Sequence, residues 1–320
     1  MWQPARMGVE ADRRGPSRRH QALAWAVPRV RRSREMESEA VERERLLAAQ
    51  ARRDTGLPTA LVVPRAARRF SVVTEVLRGP GGEFPAYVLT PRGTDPHRTV
   101  VWLHGGGYVG GLDPFHSRYL ARLAAAGAAR VVVPDYPLAP RHTWRDSHAA
   151  VADLTARWRR DSVELVLGGD SAGGGYALGV ALTLRDRGGP QPDRLLLLSP
   201  WVDLTTSTPE TAALDSVDPW LFLGKLKAYA AWWAGSPDDL VRPEVSPALA
   251  DLHGLPPALV FCGTRDLLVP GCRLLAARAA DAGWDLTYVE RDGLLHVYPL
   301  LPGLPEARDA RRRTTEFLGW

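Results

Sequence analysis

A serine in a glycine-rich turn is the residue best placed to do chemistry. Residues 169–173 read GDSAG, which has the form G-x-S-x-G, and they lie between an apolar run and a helical stretch. A sharp strand-to-helix turn exposes a serine hydroxyl, and glycines leave room where side chains would clash. A glycine-rich turn with an incidental serine is the alternative, but the placement favours Ser171 as a nucleophile.

A serine nucleophile needs a histidine to accept its proton and an acid to orient that histidine. The chain order expected for such a turn is serine, then acid, then histidine. Only His253 and His296 follow Ser171, and His296 lies in a loop after the last apolar run. Asp266 stands just beyond the preceding apolar run, so order and placement favour Asp266 and His296. Asp203 is the alternative acid.

A second glycine-rich segment, HGGG at residues 104–107, follows another apolar run. Glycines allow backbone N–H groups to approach a developing oxyanion, and losing one such donor typically costs roughly 10²–10³ in rate. The same stretch matches G-x-G-x-x-G over residues 105–110, with Asp135 as a candidate ribose ligand. Pro114 interrupts any helix opening on these glycines, which argues against a dinucleotide site.

The elements that must position these residues alternate along the chain. Helical stretches separate short apolar runs, a pattern typical of a mostly parallel sheet buried on both faces. A hairpin is predicted near residues 70–89, with its turn at 79–82. The apolar runs are residues 99–103, 130–133, 163–167, 195–198, 258–262 and 286–289.

Composition excludes several classes of protein. The 320 residues are 45% apolar and 24% charged, with two cysteines, which excludes a disordered chain and a disulfide scaffold. No apolar run approaches the ~18 residues of a membrane span. Residues 1–35 hold nine arginines against three acids and are predicted to be a disordered basic segment; a start at Met36 is an alternative. A basic tail on a near-neutral body predicts no nucleic-acid face.

The chain resembles the hormone-sensitive-lipase-like (GDxG) family of α/β-hydrolase carboxylesterases over roughly residues 60–318. Four departures from the family pattern, which leave substrate choice open, are Pro137, Arg141, Gly175 and Pro270. The matching blocks are HGGG (104–107), DYPLAP (135–140), GDSAGG (169–174), SPWVDL (199–204) and VSPALADLHGL (245–255), with Asp266 and His296.

The resemblance implies an α/β-hydrolase fold, with a mostly parallel central sheet flanked by helices, over residues 36–320. A small helical cap is expected from about residues 36–58 and 205–235. The implied roles are nucleophile for Ser171, base for His296, orienting acid for Asp266 and a structural role for His104. The implied oxyanion donors are the N–H groups of Gly106, Gly107 and Ala172, and the expected substrate contacts are Tyr108 and Trp201.

The function implied is that of a cofactor-independent, metal-free serine carboxylesterase acting on small short-chain acyl esters. A deacetylase or lactone hydrolase with the same triad is an alternative, and a peptidase or a non-catalytic binding protein on this fold is less favoured. We expect a cytoplasmic protein, and the resemblance allows a homodimer.

Overall fold

The computed structural model describes residues 8–31, 35–53, 56–57 and 66–320. Part of the predicted cap segment 36–58 therefore lies outside the described residues. The strands are β1 Gly8–Asp12, β2 Phe70–Gly79, β3 Gly82–Pro91, β4 Arg98–Leu103, β5 Arg130–Pro134, β6 Glu164–Asp170, β7 Arg194–Leu198, β8 Ala258–Arg265 and β9 Leu286–Leu295. The helices are α1 Arg18–Arg31, α2 Glu39–Ala51, α3 Ala66–Arg69, α4 Pro114–Gly127, α5 His148–Arg160, α6 Ala172–Asp186, α7 Glu210–Leu214, α8 Leu223–Ala234, α9 Val269–Asp281 and α10 Pro305–Leu318.

The strands form one sheet in the order β1-β9-β8-β7-β6-β4-β5-β3-β2. In this order across the sheet, the seven strands from β1 to β5 each pair in parallel with their neighbours. The pairs β5–β3 and β3–β2 at the other edge are antiparallel. Five of the six predicted apolar runs lie within strands, and the sixth, residues 163–167, begins one residue before β6. The predicted mostly parallel sheet flanked by helices is confirmed.

Side chains of the central strands alternate between two core clusters, one on each face of the sheet. On β4, Val101 and Leu103 belong to one cluster, while Val100 and Trp102 belong to the other. This explains the continuous apolar runs, because a strand covered by helices on both faces has no solvent side.

The predicted hairpin is also confirmed. Strands β2 and β3 pair over their full length, from Phe70 opposite Pro91 to Gly79 opposite Gly82 at the turn. Gly82 has φ +106°, a backbone conformation that favours glycine.

Residues 8–31, which lie within the segment predicted to be disordered, form a strand and a helix. Strand β1 adds to the sheet edge beside β9, and α1 buries His20, Ala24 and Val27. The side chains of β1 are mostly exposed, so its order comes from backbone pairing with β9 and leaves no apolar pattern in the sequence.

Helices α2 and α8, from the two predicted cap segments, contact one another. The indole Nε1 of Trp232 donates to Glu39 Oε1 at 2.8 Å, and the Tyr229 hydroxyl donates to Glu42. The two segments thus meet although more than 180 residues separate them in the chain.

Candidate active site

Ser171 occupies the tight turn between β6 and α6. Its φ of +53° is a strained backbone conformation for a residue with a side chain. Gly173 permits the turn to press against β4, because a Cβ atom there would lie 2.1 Å from the Leu103 carbonyl oxygen. The sequence folds this way because a glycine stands where the two chain segments come closest.

Ser171, His296 and Asp266 form one hydrogen-bonded chain. The Nε2 atom of His296 lies 2.9 Å from Ser171 Oγ, and its Nδ1 atom lies 2.9 Å from Asp266 Oδ2. All three side chains are buried. The arrangement satisfies the geometric requirement for a nucleophile, its base and the acid that orients the base.

The acid is held by the turn after β8. Asp266 is fully buried, and its Oδ1 atom accepts the backbone N–H of Leu268 at 3.0 Å. A second buried carboxylate, Asp218, accepts the N–H of Leu267 at 2.7 Å. Burial and the nearby charge of Asp266 raise the pKa of Asp218 to about 6.

The pKa of His296 lies above its ordinary value. Burial opposes the charged imidazole, but the charge of Asp266 and its hydrogen bond outweigh burial, and Asp218 adds to the effect. A raised pKa means that the site stabilises the imidazolium, which is the form that His296 takes when it accepts the serine proton.

The HGGG segment forms a loop beside the serine. Gly106 and Gly107 have φ values of +121° and +63°, and both residues line the cavity into which Ser171 faces. At Gly106 a Cβ atom would lie 2.4 Å from the Gly110 carbonyl oxygen, so the tight loop excludes a side chain there. Ala172 is buried at the start of α6, next to the nucleophile.

The cavity above Ser171 has a volume of about 460 Å³. Its walls come from the HGGG loop, from α2, from residues 220–229 and from the segment after His296. The apolar side chains that line it are Leu46, Val109, Phe115, Trp220, Leu221, Phe222, Leu226, Val297, Leu300 and Leu301.

A family model described as the alpha/beta hydrolase fold matches residues 100–300. An acetyl-hydrolase of Streptomyces hygroscopicus is 33% identical over 235 residues, covering 69% of this chain and 75% of that protein. The chain belongs to the α/β-hydrolase family. An esterase of Acinetobacter venetianus is 27% identical over 222 residues, covering 68% of this hydrolase and 73% of the relative.

The solved structures place this α/β-hydrolase in the predicted branch of the family. The structure of an esterase from the bacterial hormone-sensitive lipase family superposes with a TM-score of 0.75 at 28% sequence identity. The match covers 94% of this hydrolase and 98% of that chain. The predicted resemblance to hormone-sensitive-lipase-like hydrolases is confirmed.

His104 of the hydrolase is a structural residue in this geometry. Its ring is fully buried and stacks on Tyr136 at 4.3 Å between centroids, and Nδ1 lies 2.8 Å from the Gly105 carbonyl oxygen. The Tyr136 hydroxyl donates to the His104 carbonyl oxygen at 2.6 Å. These contacts fix the start of the glycine loop.

The two expected substrate contacts do not line the cavity of the hydrolase. Tyr108 is buried, and its ring stacks on Trp233 with centroids 4.3 Å apart. Trp201 is also buried, and its Nε1 donates to the Asp203 carbonyl oxygen at 3.2 Å. The prediction of direct contact is therefore corrected. Tyr108 has φ +64°, which turns its side chain into the core.

The alternative acid and base lie elsewhere in the hydrolase. The side chain of His253 is 71% exposed and pairs with Asp251. The carboxylate of Asp203 accepts the backbone N–H groups of Thr205 and Ser207, so it closes a turn.

The alternative dinucleotide reading of the glycine loop also finds no support in the structure. Asp135, its candidate ribose ligand, pairs with Arg53 and lies 3.6 Å from His104 Nε2.

A buried histidine beside the Ser171 turn of the hydrolase is not predicted from the sequence. His116 Nε2 lies 3.1 Å from Asp170 Oδ2, and its Nδ1 lies 3.0 Å from Asp113 Oδ1. Burial disfavours its charge, but the two carboxylates raise its pKa to about 10. The Asp113-Pro114 start of α4 signals a helix cap, but nothing local signals the contact with Asp170.

One departure from the family pattern has a steric reason. Gly175 stands where the family usually has asparagine, and a Cβ atom there would lie 1.9 Å from the Trp201 carbonyl oxygen. The close approach of that segment to α6 therefore requires glycine.

The described part of the hydrolase contains no group of three or more His, Cys, Asp or Glu side chains arranged to hold a metal ion. Within the same residues, no helix has the length and apolar character needed to cross a bilayer. Cys262 and Cys272 are buried free thiols.

Proposed function

We propose that this α/β-hydrolase is a serine carboxylesterase. The observation that carries the proposal is the hydrogen-bonded chain from Ser171 through His296 to Asp266 at an apolar cavity. Relatives named esterase and acetyl-hydrolase support the same reaction class.

In the proposed mechanism, Ser171 Oγ attacks the ester carbonyl carbon while His296 Nε2 takes the hydroxyl proton. The N–H groups of Gly106, Gly107 and Ala172 are the proposed donors to the oxyanion. The tetrahedral intermediate then collapses, and His296 gives its proton to the departing alcohol. Water, deprotonated by the same histidine, releases the acid from the acyl-enzyme. Asp266 keeps the imidazole oriented throughout.

We infer that the preferred substrates are small esters with short acyl groups. A cavity of about 460 Å³ lies within the range usual for small-molecule sites, and its lining is mostly apolar. The acetyl-hydrolase relative favours the acetyl group as the first acyl group to test. A deacetylase or lactone hydrolase acting on a specific metabolite would use the same residues, and that alternative stays open.

The test is hydrolysis of p-nitrophenyl acetate, butyrate, octanoate and palmitate by the wild type, Ser171→Ala and a matched Ser71→Ala control. Ser71 lies on the edge strand β2, away from the Ser171 turn. We expect hydrolysis of the short esters by the wild type and the control, and a loss in kcat on the order of 10⁴–10⁶ for Ser171→Ala.

Two outcomes contradict the proposal. Activity that survives Ser171→Ala would move the nucleophile elsewhere. A folded wild type that is inert on all four esters would exclude a general esterase, and acetylated metabolites and lactones would be tested next.

We also propose a cytoplasmic location, which the two free thiols in the core support because thiols persist in reducing compartments. The homodimer and the absence of nucleic-acid binding stay predictions from the sequence.

A further inference from the structure

The backbone on both sides of His296 is held by side chains. Ser199 Oγ, which follows β7, accepts the N–H of Val297 at 3.0 Å. On the other side, His20 Nε2 accepts the N–H of Leu295 at 3.0 Å. The first contact comes from the central sheet, whereas the second comes from α1, near the start of the chain.

His20 has the properties that this contact needs. Its side chain is fully buried, and burial lowers its pKa, so the ring stays neutral. Because Nε2 accepts the Leu295 N–H, the ring proton sits on Nδ1. A buried backbone N–H left without an acceptor is unfavourable, so this bond attaches the chain before His296 firmly to α1.

The residues around His20 fix it against the same part of the sheet. Strand β1 pairs with β9, the strand that leads to His296. The N–H of Ser17 donates to the buried carboxylate of Glu306 at 2.6 Å. Ala24 and Val27 of α1 pack against the side chain of Leu295.

Trp220 connects the same cluster to the reacting residues. Its side chain packs against the cluster formed by Ala24, Val27 and Leu295. Its ring also stands edge-on to the His296 ring, with centroids 6.0 Å apart. Residues of α1 therefore support both the backbone of His296 and a side chain that touches its imidazole.

We infer that residues 8–31, here named the N-terminal brace, position His296 for catalysis, with His20 as the positioning residue. His20 holds the Leu295 N–H and does not touch substrate. The inference rests on the proposed function, because it takes His296 as the base. Displacing the catalytic base by about 1 Å can cost on the order of 10² in rate.

The experiment compares His20→Leu, His20→Gln and the control His253→Leu in the full chain. Leucine removes the acceptor, whereas the glutamine side chain can accept the same N–H through its carbonyl oxygen. His253 is exposed and pairs with Asp251, far from α1 in the chain, so His253→Leu makes the same substitution outside the brace. The readouts are kcat and KM for p-nitrophenyl acetate, and the rate at which a fluorophosphonate labels Ser171. Labelling forms an Oγ–P bond, expels fluoride and passes the serine proton to His296.

For His20→Leu we expect kcat and the labelling rate to fall by about tenfold to 100-fold with KM little changed. The midpoint of the rising limb of its pH–rate profile should move towards the ordinary histidine value, because a displaced ring loses its contact with Asp266. His20→Gln should recover part of both losses, and His253→Leu should behave as wild type. Wild-type kinetics in folded His20→Leu, or equal losses in the Leu and Gln variants, would overturn the inference.

Two further variants distinguish a failure of this inference from misfolding of His20→Leu and from a failure of the proposed function. Val27→Ala trims the packing against Leu295 but keeps the His20 bond, so it supplies a milder variant if His20→Leu does not fold. We expect a smaller loss of labelling rate from it, and no loss in the folded protein would contradict the brace. If Ser171→Ala is labelled as fast as wild type, the proposed function fails instead, whatever the brace variants do.

Discussion

Two buried histidine–carboxylate pairs flank the nucleophile. His296 pairs with Asp266 at 2.9 Å, and His116 pairs with Asp170 at 3.1 Å. In both pairs, nearby carboxylates raise the pKa of a histidine that burial alone would lower. Residue type and burial therefore do not distinguish a base from a structural cation.

The second ring nitrogen makes the difference. In His296 it faces Ser171 Oγ, so the ring can take a proton and give it back. In His116 it lies 3.0 Å from the carboxylate of Asp113. The Asp113 N–H lies 3.1 Å from the same nitrogen, a contact that is a hydrogen bond only when that nitrogen carries no proton. Two carboxylates outweigh one amide, so His116 keeps its charge at neutral pH and has no free nitrogen for chemistry.

The largest expected difference between the pairs is catalytic. His296→Gln removes the only base in contact with Ser171 in the described structure, so kcat should fall on the order of 10⁴–10⁶. His116→Gln should lower kcat far less, because His116 does not contact the serine. Steady-state kinetics on the best p-nitrophenyl ester measures both. Equal losses in the two variants would contradict the assignment of His296 as the base and of His116 as a structural cation.

Substitution of Asp266, the acid of the catalytic pair, should have a smaller but still large effect on kcat. Asp266→Asn should lower kcat by about 10⁴, because the amide no longer fixes the imidazole in the productive tautomer. The rising limb of the pH dependence of kcat/KM should also move to lower pH, since the Asp266 charge helps raise the pKa of His296. Asp203→Asn is the control, as that carboxylate closes a turn. If the rising limb of kcat/KM in Asp266→Asn lay at the same pH as in the wild type, another acid would orient the base.

The His116–Asp170 pair should contribute to the stability of the fold. Removing one partner of a buried ion pair costs about 3–5 kcal/mol, so His116→Gln should lower the free energy of unfolding by that order at pH 6. The folded pKa of His116, about 10, lies above the unfolded value of 6.5. Its contribution is therefore complete below pH 6.5 and is lost as the pH rises through 10. Urea unfolding at several pH values measures the gap between variant and wild type. A gap that does not narrow from pH 6 to pH 10 would contradict a charged His116.

The contrast between the pairs also marks what the sequence can predict. Ser171 and the glycines around it are predictable because a strained turn and close backbone contacts demand particular residue types locally. Asp266 and His296 are predictable only from strand order and a family resemblance. The contact of His116 with Asp170 spans 54 residues and leaves no local pattern.

Side-chain direction is a second limit on the sequence. Tyr108 adjoins the glycine loop and has a positive φ, but its ring stacks on Trp233 in the core, a direction that the sequence pattern does not show. Strand β1 is a similar case for the backbone. It is ordered by pairing with β9, which lies far from it in the sequence, so no local pattern predicts it.

The smallest expected effect comes from Asp218, a carboxylate that the sequence does not single out. Its charge adds to that of Asp266 in raising the pKa of His296. Asp218→Asn should therefore move the rising limb of kcat/KM to lower pH by less than about one unit, which raises kcat/KM at pH 6 by roughly two- to fivefold. Asp215→Asn is the matched control, because that carboxylate accepts the N–H of Leu223 at the start of α8. A shift to higher pH in Asp218→Asn would mean that its hydrogen bonds to the turn of Asp266, rather than its charge, govern the base.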